Sequence, residues 1–299
     1  MNIDLHIHST ESDGSLTPVQ IITHAKKLGL RAVSITDHDT VSGVKNALSV
    51  SRALGMGCIS GVEMSATAPP LFDIPGSLHI LGYGMDPGHG DFIKMLDRLL
   101  KARLDRFPKM IEKLNALQIP ISYGAVQALA GQATVSRPHI ARALVAAGAV
   151  GSVDEAFDRY LANGKPAYVD RYRIELEEVL STVSAAGGVC VLAHPGLIRM
   201  KSGKTVGDLA NRLAQMGIKG IEAHYPEHSE EQTRFFVELA RSLGLIVTGG
   251  TDFHGAVRPE IGLGSGRGAF CVPANLWEPL TGLLSNTEFI SPPERNPGV

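Results

Sequence analysis

Apolar positions along the chain fall into two alternating rhythms. Short apolar runs of strand length occur at residues 2–8 (NIDLHIH), 31–38 (RAVSITDH), 57–65 (GCISGVEMS), 77–85 (SLHILGYGM), 188–195 (GVCVLAHP), 219–226 (KGIEAHYP) and 245–253 (LIVTGGTDF). Between several of them stand segments with helical period, among them TPVQIITHAKKLG, VSGVKNALSVSRALG, IELEEVLSTVSAAGG and SEEQTRFFVELARSLG. The first carries Thr17 as an N-cap, Pro18 at the first helical position and Gly29 as a stop. Repeated strand–helix units predict an α/β body with a parallel sheet, open or closed into a barrel.

Residues 90–165 break this rhythm. The stretch DFIKMLDRLLKARLDRFPKMIEKLNAL reads as a long helix with a break or kink at Pro108, and VSRPHIARALVAAG and SVDEAFDRYLANG read as shorter helices. No strand pattern is present there. The expected organisation is a barrel built from residues 1–89 and 166–299, with residues 90–165 as an all-helical cap. The basic run KARLDRFPK is diluted by Asp97, Asp105 and Glu112 and reads as a solvated helix face, with a polyanion track as the alternative. The tail SPPERNPGV is expected to be poorly ordered.

Composition narrows the function classes. With 299 residues, 44% hydrophobic, the chain can bury a substantial core. A net charge of −2 gives no sign of a general nucleic-acid or membrane-surface binder, so stable duplex-DNA binding is not expected. Cys58, Cys190 and Cys271 are scattered in apolar contexts, which predicts buried reduced thiols rather than a zinc–thiolate site. No signal-peptide pattern and no membrane-spanning run is visible, and a cytoplasmic protein is expected.

The strand ends carry the chemistry. His6 and His8 close the first strand, His38 the second, Glu63 the third; His79 lies in the fourth, His194 ends the fifth, and Asp252 with His254 ends the last. In a parallel barrel these ends open on one face. Six of eleven histidines, with Glu63, Asp252 and Asp13, would then share one pocket, an arrangement that repels itself unless cations hold it. Imidazoles and carboxylates without thiolates suit Mn, Zn or Fe, and nine candidate ligands imply two or three divalent ions. Asp13 could instead merely shape the SDG turn, and His79 could be a core histidine. Asp4, Asp37 and Asp39 either orient these groups or serve the backbone.

The motifs HIHSTESDG, TDHDT, GVEMS, AHPG and TDFHG, in this order, resemble the polymerase-and-histidinol-phosphatase (PHP) family of metal-dependent phosphoesterases. The resemblance covers residues 1–85 and 188–256 and implies a distorted seven-stranded TIM-like (β/α) barrel. It places His6, His8, Glu63 and Asp252 on one ion, Glu63, His79 and His194 on a second, and Asp13, His38 and His254 on a third; Asp252, His194 and His254 are thereby catalytic. Asp13 stands where other branches carry histidine. The helical segment, with SRPHIAR, GKPAYV and IEAHYPEHS, resembles the nucleoside 3′,5′-bisphosphate phosphatases, some of which trim RNA 5′ ends.

The expected reaction is hydrolysis of a phosphate ester by metal-activated hydroxide, on a nucleotide 3′-phosphate or a short RNA end. Arg137, His139 and Lys165 are the candidate phosphate contacts, each with a plain reading as a helix-start or turn residue. His228 either caps a helix or protonates the leaving group. A histidinol-phosphate-type monoesterase and a non-catalytic metal-holding module are the alternatives. The glycine-rich GLGSGRG lacks the Lys-Ser/Thr ending of a phosphate loop.

Overall fold

A computed structural model describes residues 2–131, 135–284 and 289–292. In chain order the elements are β1 (Asn2–Ile7), α1 (Pro18–Lys27), β2 (Ala32–Ile35), α2 (Val44–Leu54), β3 (Gly57–Ala66), β4 (Leu78–Tyr83), α3 (Gly90–Ala116), α4 (Tyr123–Ala130), α5 (Arg137–Ala146), α6 (Val153–Ala156), α7 (Leu176–Ala185), β5 (Val189–Leu192), α8 (Val206–Met216), β6 (Gly220–His224), α9 (Glu230–Ser242), β7 (Ile246–Gly249), β8 (Val272–Pro273), α10 (Trp277–Thr281) and β9 (Phe289–Ile290). All seven strand segments read from the sequence form strands. From residue 293 on, the tail lies outside the described residues.

One sheet runs in the order β7-β6-β5-β4-β3-β2-β1-β8, with β9 beside β3. It nearly closes into a barrel, because the segment after β7 returns to β1: His8 N–H donates to Phe253 O at 2.9 Å and Asp252 N–H to His6 O at 2.8 Å. Helices surround it. The expectation of parallel pairing holds for β1–β2–β3 and β5–β6–β7 and fails at β4, which is antiparallel to both neighbours. No crossover helix separates β3 from β4, so the chain folds straight back on itself as a hairpin. The reversal matters for the site. His79 sits near the start of β4, and in an antiparallel strand the start lies beside the end of β3, where Glu63 is.

Side chains alternate along β1. Ile3, Leu5 and Ile7 join apolar clusters, while Asp4, His6 and His8 project the other way, all fully buried. The helical segment has its own apolar cluster, including Phe107, Met110, Leu114, Val126, Ile140, Leu144 and Leu161. Helix α3 serves both regions: Phe92, Met95, Leu96 and Leu99 pack with Met64, Ile80 and Leu176 of the barrel, and Phe107 onward packs with α4 and α5. This 27-residue helix, about 40 Å long, runs through Pro108 without a break. Pro108 is exposed, so the carbonyl it deprives of a partner faces water, while buried residues on either side hold the helix together.

Candidate metal centre

Glu63 is the hub of the barrel mouth and is almost wholly buried. Its Oε1 lies 2.7 Å from His79 Nδ1 and 3.0 Å from His194 Nε2; its Oε2 lies 2.9 Å from His38 Nδ1, 3.3 Å from His8 Nε2 and 3.5 Å from His6 Nε2. Asp252 Oδ1 approaches His8 Nε2 at 3.1 Å and His6 Nε2 at 3.5 Å. Asp13 Oδ1 lies 3.3 Å from His254 Nε2 and 3.8 Å from His8 Nδ1. The donor atoms form three groups tight enough for one ion each: His6, His8 and Glu63; Glu63, His79 and His194; and His8, Asp13, His38 and His254.

These residues fit divalent ions on a test internal to the structure. His6 Nε2, His8 Nε2, Asp13 Oδ1, His38 Nδ1 and His194 Nδ1 are buried with no hydrogen-bond partner among the described residues. Orphaned polar atoms are costly in a protein interior. His38 Nδ1 is 2.9 Å from Glu63 yet is not aligned with it for a hydrogen bond. Lone pairs that pass each other at short range converge on a common point between them, as metal ligands do.

Several ligands are held from behind. His6 Nδ1–H donates to Glu222 Oε1 at 2.9 Å, which fixes the tautomer and turns Nε2 into the cluster. Glu222 Oε2 also accepts from the His194 backbone N–H at 2.7 Å, so one buried carboxylate braces ligands of two groups. His8 Nδ1 meets Ser12 Oγ at 3.4 Å, and Ser12 donates to Asp37 at 2.6 Å. Asp252 Oδ2 accepts from Tyr225 O–H at 2.9 Å and Arg258 at 3.1 Å, which leaves Oδ1 for the cluster. Asp4 accepts from both Thr251 N–H and O–H and from Gly264 N–H, pinning the turn before Asp252; burial pushes its carboxyl up to about 6. The GLGSGRG stretch is therefore a structural turn here.

The backbone is strained where the ligands sit. Of the non-glycine residues with positive φ, His194 (φ 27°), Asp252 (φ 54°) and Asp39 (φ 58°) all border the cluster. Gly250 passes so close to His6 that a Cβ there would stand 2.3 Å from the His6 backbone N.

Across from the ligands, a cavity of about 240 Å³ is lined by Asp13, His38 and His79 on one side and Arg103, Arg106, Arg137 and Arg171 on the other. Arg171 donates to Asp39 at 3.0 Å and lies 3.3 Å from His79 Nε2, which can only accept from it. Arg103 donates to Asp13 at 3.2 Å. Arg106 and Arg137 have no carboxylate within ion-pair distance among the described residues. Arg106 donates to Val169 O at 2.7 Å and lies over the Tyr168 ring; Arg137 lies over Phe157. Burial, and then the charge of Arg137, pulls Arg106 down to about 10, and burial lowers Arg137 as well.

The structure thus brings together all nine proposed ligands and Arg137. The polar groups of the other three candidates are placed differently. Lys165 is exposed in a turn. His139 is buried and caps its own helix, its Nδ1 accepting from Ser136 N–H at 3.1 Å. His228 accepts from Gly196 N–H at Nε2 and donates from Nδ1 to Ala223 O, which commits both ring nitrogens. Cys58 and Cys190 are buried, but Cys271 is exposed, unlike the expectation from its AFCVP context.

Sequence reading missed Arg103, Arg106, Arg171, Glu222, Tyr225 and Arg258. For the first two a signal existed: Leu99, Arg103, Arg106, Phe107, Met110 and Leu114 follow the helical period, placing both arginines within the apolar stripe rather than on a solvated face.

A model of the PHP domain matches residues 4–242 of the chain. A 3′,5′-nucleoside bisphosphate phosphatase of Chromobacterium violaceum is 34% identical, over 85% of this chain and 87% of its own length. A 5′-3′ exoribonuclease of Haemophilus influenzae is 33% identical, over 84% of this chain and 89% of its own. The solved structure of a metal-dependent phosphoesterase of Bifidobacterium adolescentis superposes with a TM-score of 0.80 at 31% identity, covering 95% of this chain and 96% of that one.

Proposed function

We propose, from the premise that this chain belongs to the PHP-domain family of metal-dependent phosphoesterases, that its substrate is a nucleoside 3′,5′-bisphosphate, attacked at the 3′-phosphate, or a short 5′-phosphorylated RNA end. Family membership makes it a hydrolase of phosphoric ester bonds, which sets aside a purely metal-holding module. The observation that carries the substrate reading is the pair Arg106 and Arg137, two buried or half-buried guanidiniums without acid partners beside the ligand cluster. Unpaired desolvated arginines are poor structural elements and good anion receptors.

The residues divide the work. When bound, two or three divalent ions, which we take as Mn, Zn or Fe, supply a water of lowered pKa and neutralise charge on the phosphoryl oxygens. His6, His8, Glu63 and Asp252, then Glu63, His79 and His194, then Asp13, His38 and His254, are the residues that would hold them; the second contact of His8 with Asp13 adds it to the last set. Arg171 and Arg103 touch His79 and Asp13 and orient the reacting phosphate. Arg106 and Arg137 reach no ligand and receive the second phosphate. We keep His228 and Lys165 out of this scheme, since the first has no free nitrogen and the second faces solvent. Residues 90–165 act as a cap that carries three of the four arginines. A cytoplasmic setting accords with the buried thiols of Cys58 and Cys190, and no helix among the described residues is long and apolar enough to cross a membrane.

Phosphate release from a nucleoside 3′,5′-bisphosphate, a nucleoside 3′-monophosphate, a 5′-phosphorylated oligoribonucleotide and histidinol phosphate, each with Mn²⁺ and again after chelation, tests the assignment. The bisphosphate or the oligonucleotide should be turned over best, and only with metal. Equal or faster turnover of histidinol phosphate would overturn it.

A further inference from the structure

A second cavity, of about 540 Å³, lies against the arginine-lined one. Pro138 lines both, and the wall between them continues through neighbouring residues, Asp13 facing the first cavity and Gly14 the second. The second cavity has two kinds of surface. Its lining mixes apolar side chains, Leu129, Pro138, Val153 and Val257, with polar ones, Ser15, Gln20 and Arg142. The polar residues are rich in donors. Ser15 Oγ accepts from Ala256 N–H at 2.7 Å, which leaves its O–H to donate. Gln20 Oε1 is taken by Thr17 N–H and O–H, which leaves the carboxamide N–H groups. Arg142 offers only donors, and no carboxylate lines the cavity among the described residues.

Apolar walls together with a set of free donors suit a flat heterocycle with ring-nitrogen and carbonyl acceptors, and the volume falls in the range of small-molecule sites. A bare phosphomonoester held by the arginines would leave this space empty. We infer that this cavity receives the nucleoside of the substrate, its base between Pro138 and Val153 and its acceptors toward Ser15, Gln20 and Arg142. The inference rests on the phosphoesterase reading above and extends it: discrimination between nucleotides and small phosphomonoesters lies here, away from the metal ligands.

Val153→Trp tests it. Val153 is 37% exposed at the start of α6, so an indole can fill the cavity from its rim without displacing core residues. The variant should lower kcat/KM for a nucleoside 3′,5′-bisphosphate about tenfold, mainly through KM, a loss of the size expected for one blocked contact surface. Turnover of 4-nitrophenyl phosphate and metal content should stay unchanged. Arg142→Gln should act in the same direction, more weakly. Equal loss on both substrates, or on neither, would overturn the assignment. Binding of adenosine, followed by saturation-transfer NMR in the metal-loaded protein, separates the two readings. Adenosine binding that Val153→Trp abolishes, in a protein that hydrolyses no nucleotide, supports the cavity and refutes the substrate reading. Nucleotide hydrolysis with adenosine binding untouched by the variant refutes the cavity alone.

Discussion

The strand ends of the barrel and the arginines of the helical segment face each other across one cavity, and they are held in opposite ways. On the barrel side His6 leans on Glu222, His8 on Ser12 and Asp37, and Asp252 on Tyr225 and Arg258. On the helical side Arg106 is steadied by a carbonyl and an aromatic face, and Arg137 by an aromatic face. The difference fits the proposed division of labour, ions on one side and phosphate on the other. Ions need donor atoms fixed before they arrive, because a misplaced ligand loses the coordination geometry. A phosphate needs donors whose hydrogen bonds are still unspent, and that requirement opposes local stability.

The contrast can be tested at several strengths. Glu63→Ala removes the carboxylate shared by two of the three ligand groups, and turnover should fall to background together with metal content measured by plasma mass spectrometry. Retained metal and retained turnover would mean that the barrel mouth is not the centre. Arg106→Gln and Arg137→Gln should each cost roughly 10–100-fold in kcat/KM for the bisphosphate, mainly through KM, while metal content stays full, as for loss of one charged hydrogen bond to the bound second phosphate. Glu222→Ala should weaken metal binding by roughly 10–100-fold, with partial recovery in Glu222→Gln, whose carboxamide oxygen can still accept from His6. The same Ala variant leaves His6 Nδ1 and the His194 N–H without partners, a loss of about 2 kcal/mol that should lower the melting midpoint by several degrees. Arg137→Met, by contrast, should leave the midpoint at or above that of the parent, since it removes a desolvated charge that no acid offsets. The smallest effect concerns His228. Burial lowers it from 6.5, so below that pH the unfolded chain takes up its proton more readily than the folded one, and stability drops as pH falls. His228→Gln should flatten that part of the pH–midpoint curve.

What could be read from the sequence follows the same divide. Strand-end ligands announce themselves because a strand places its chemistry at a fixed end and the apolar run before it marks that end. His79 entered the ligand pattern with a core histidine as its rival, since the reversal of β4 that brings it to the mouth depends on the pairing partner and not on local pattern. Arg103 and Arg106 lay in plain view within an apolar stripe, yet in single sequence an arginine on a helix is taken for solvent-facing. Glu222 in KGIEAHYP reads as one more polar residue at a strand end; its two hydrogen bonds come from residues 216 and 28 positions away.

The unbroken course of α3 has a consequence for how the chain can vary. Its first turns are rooted among Phe92, Met95 and Leu99, so the bearing of Arg103 and Arg106 is set by helical pitch counted from that root. Adding or removing one residue between Leu99 and Arg103 would swing both guanidiniums by about 100° around the axis. Length polymorphism should therefore be purged from this stretch and tolerated in the turn between α3 and α4, beyond the point where the bearing of Arg103 and Arg106 is set.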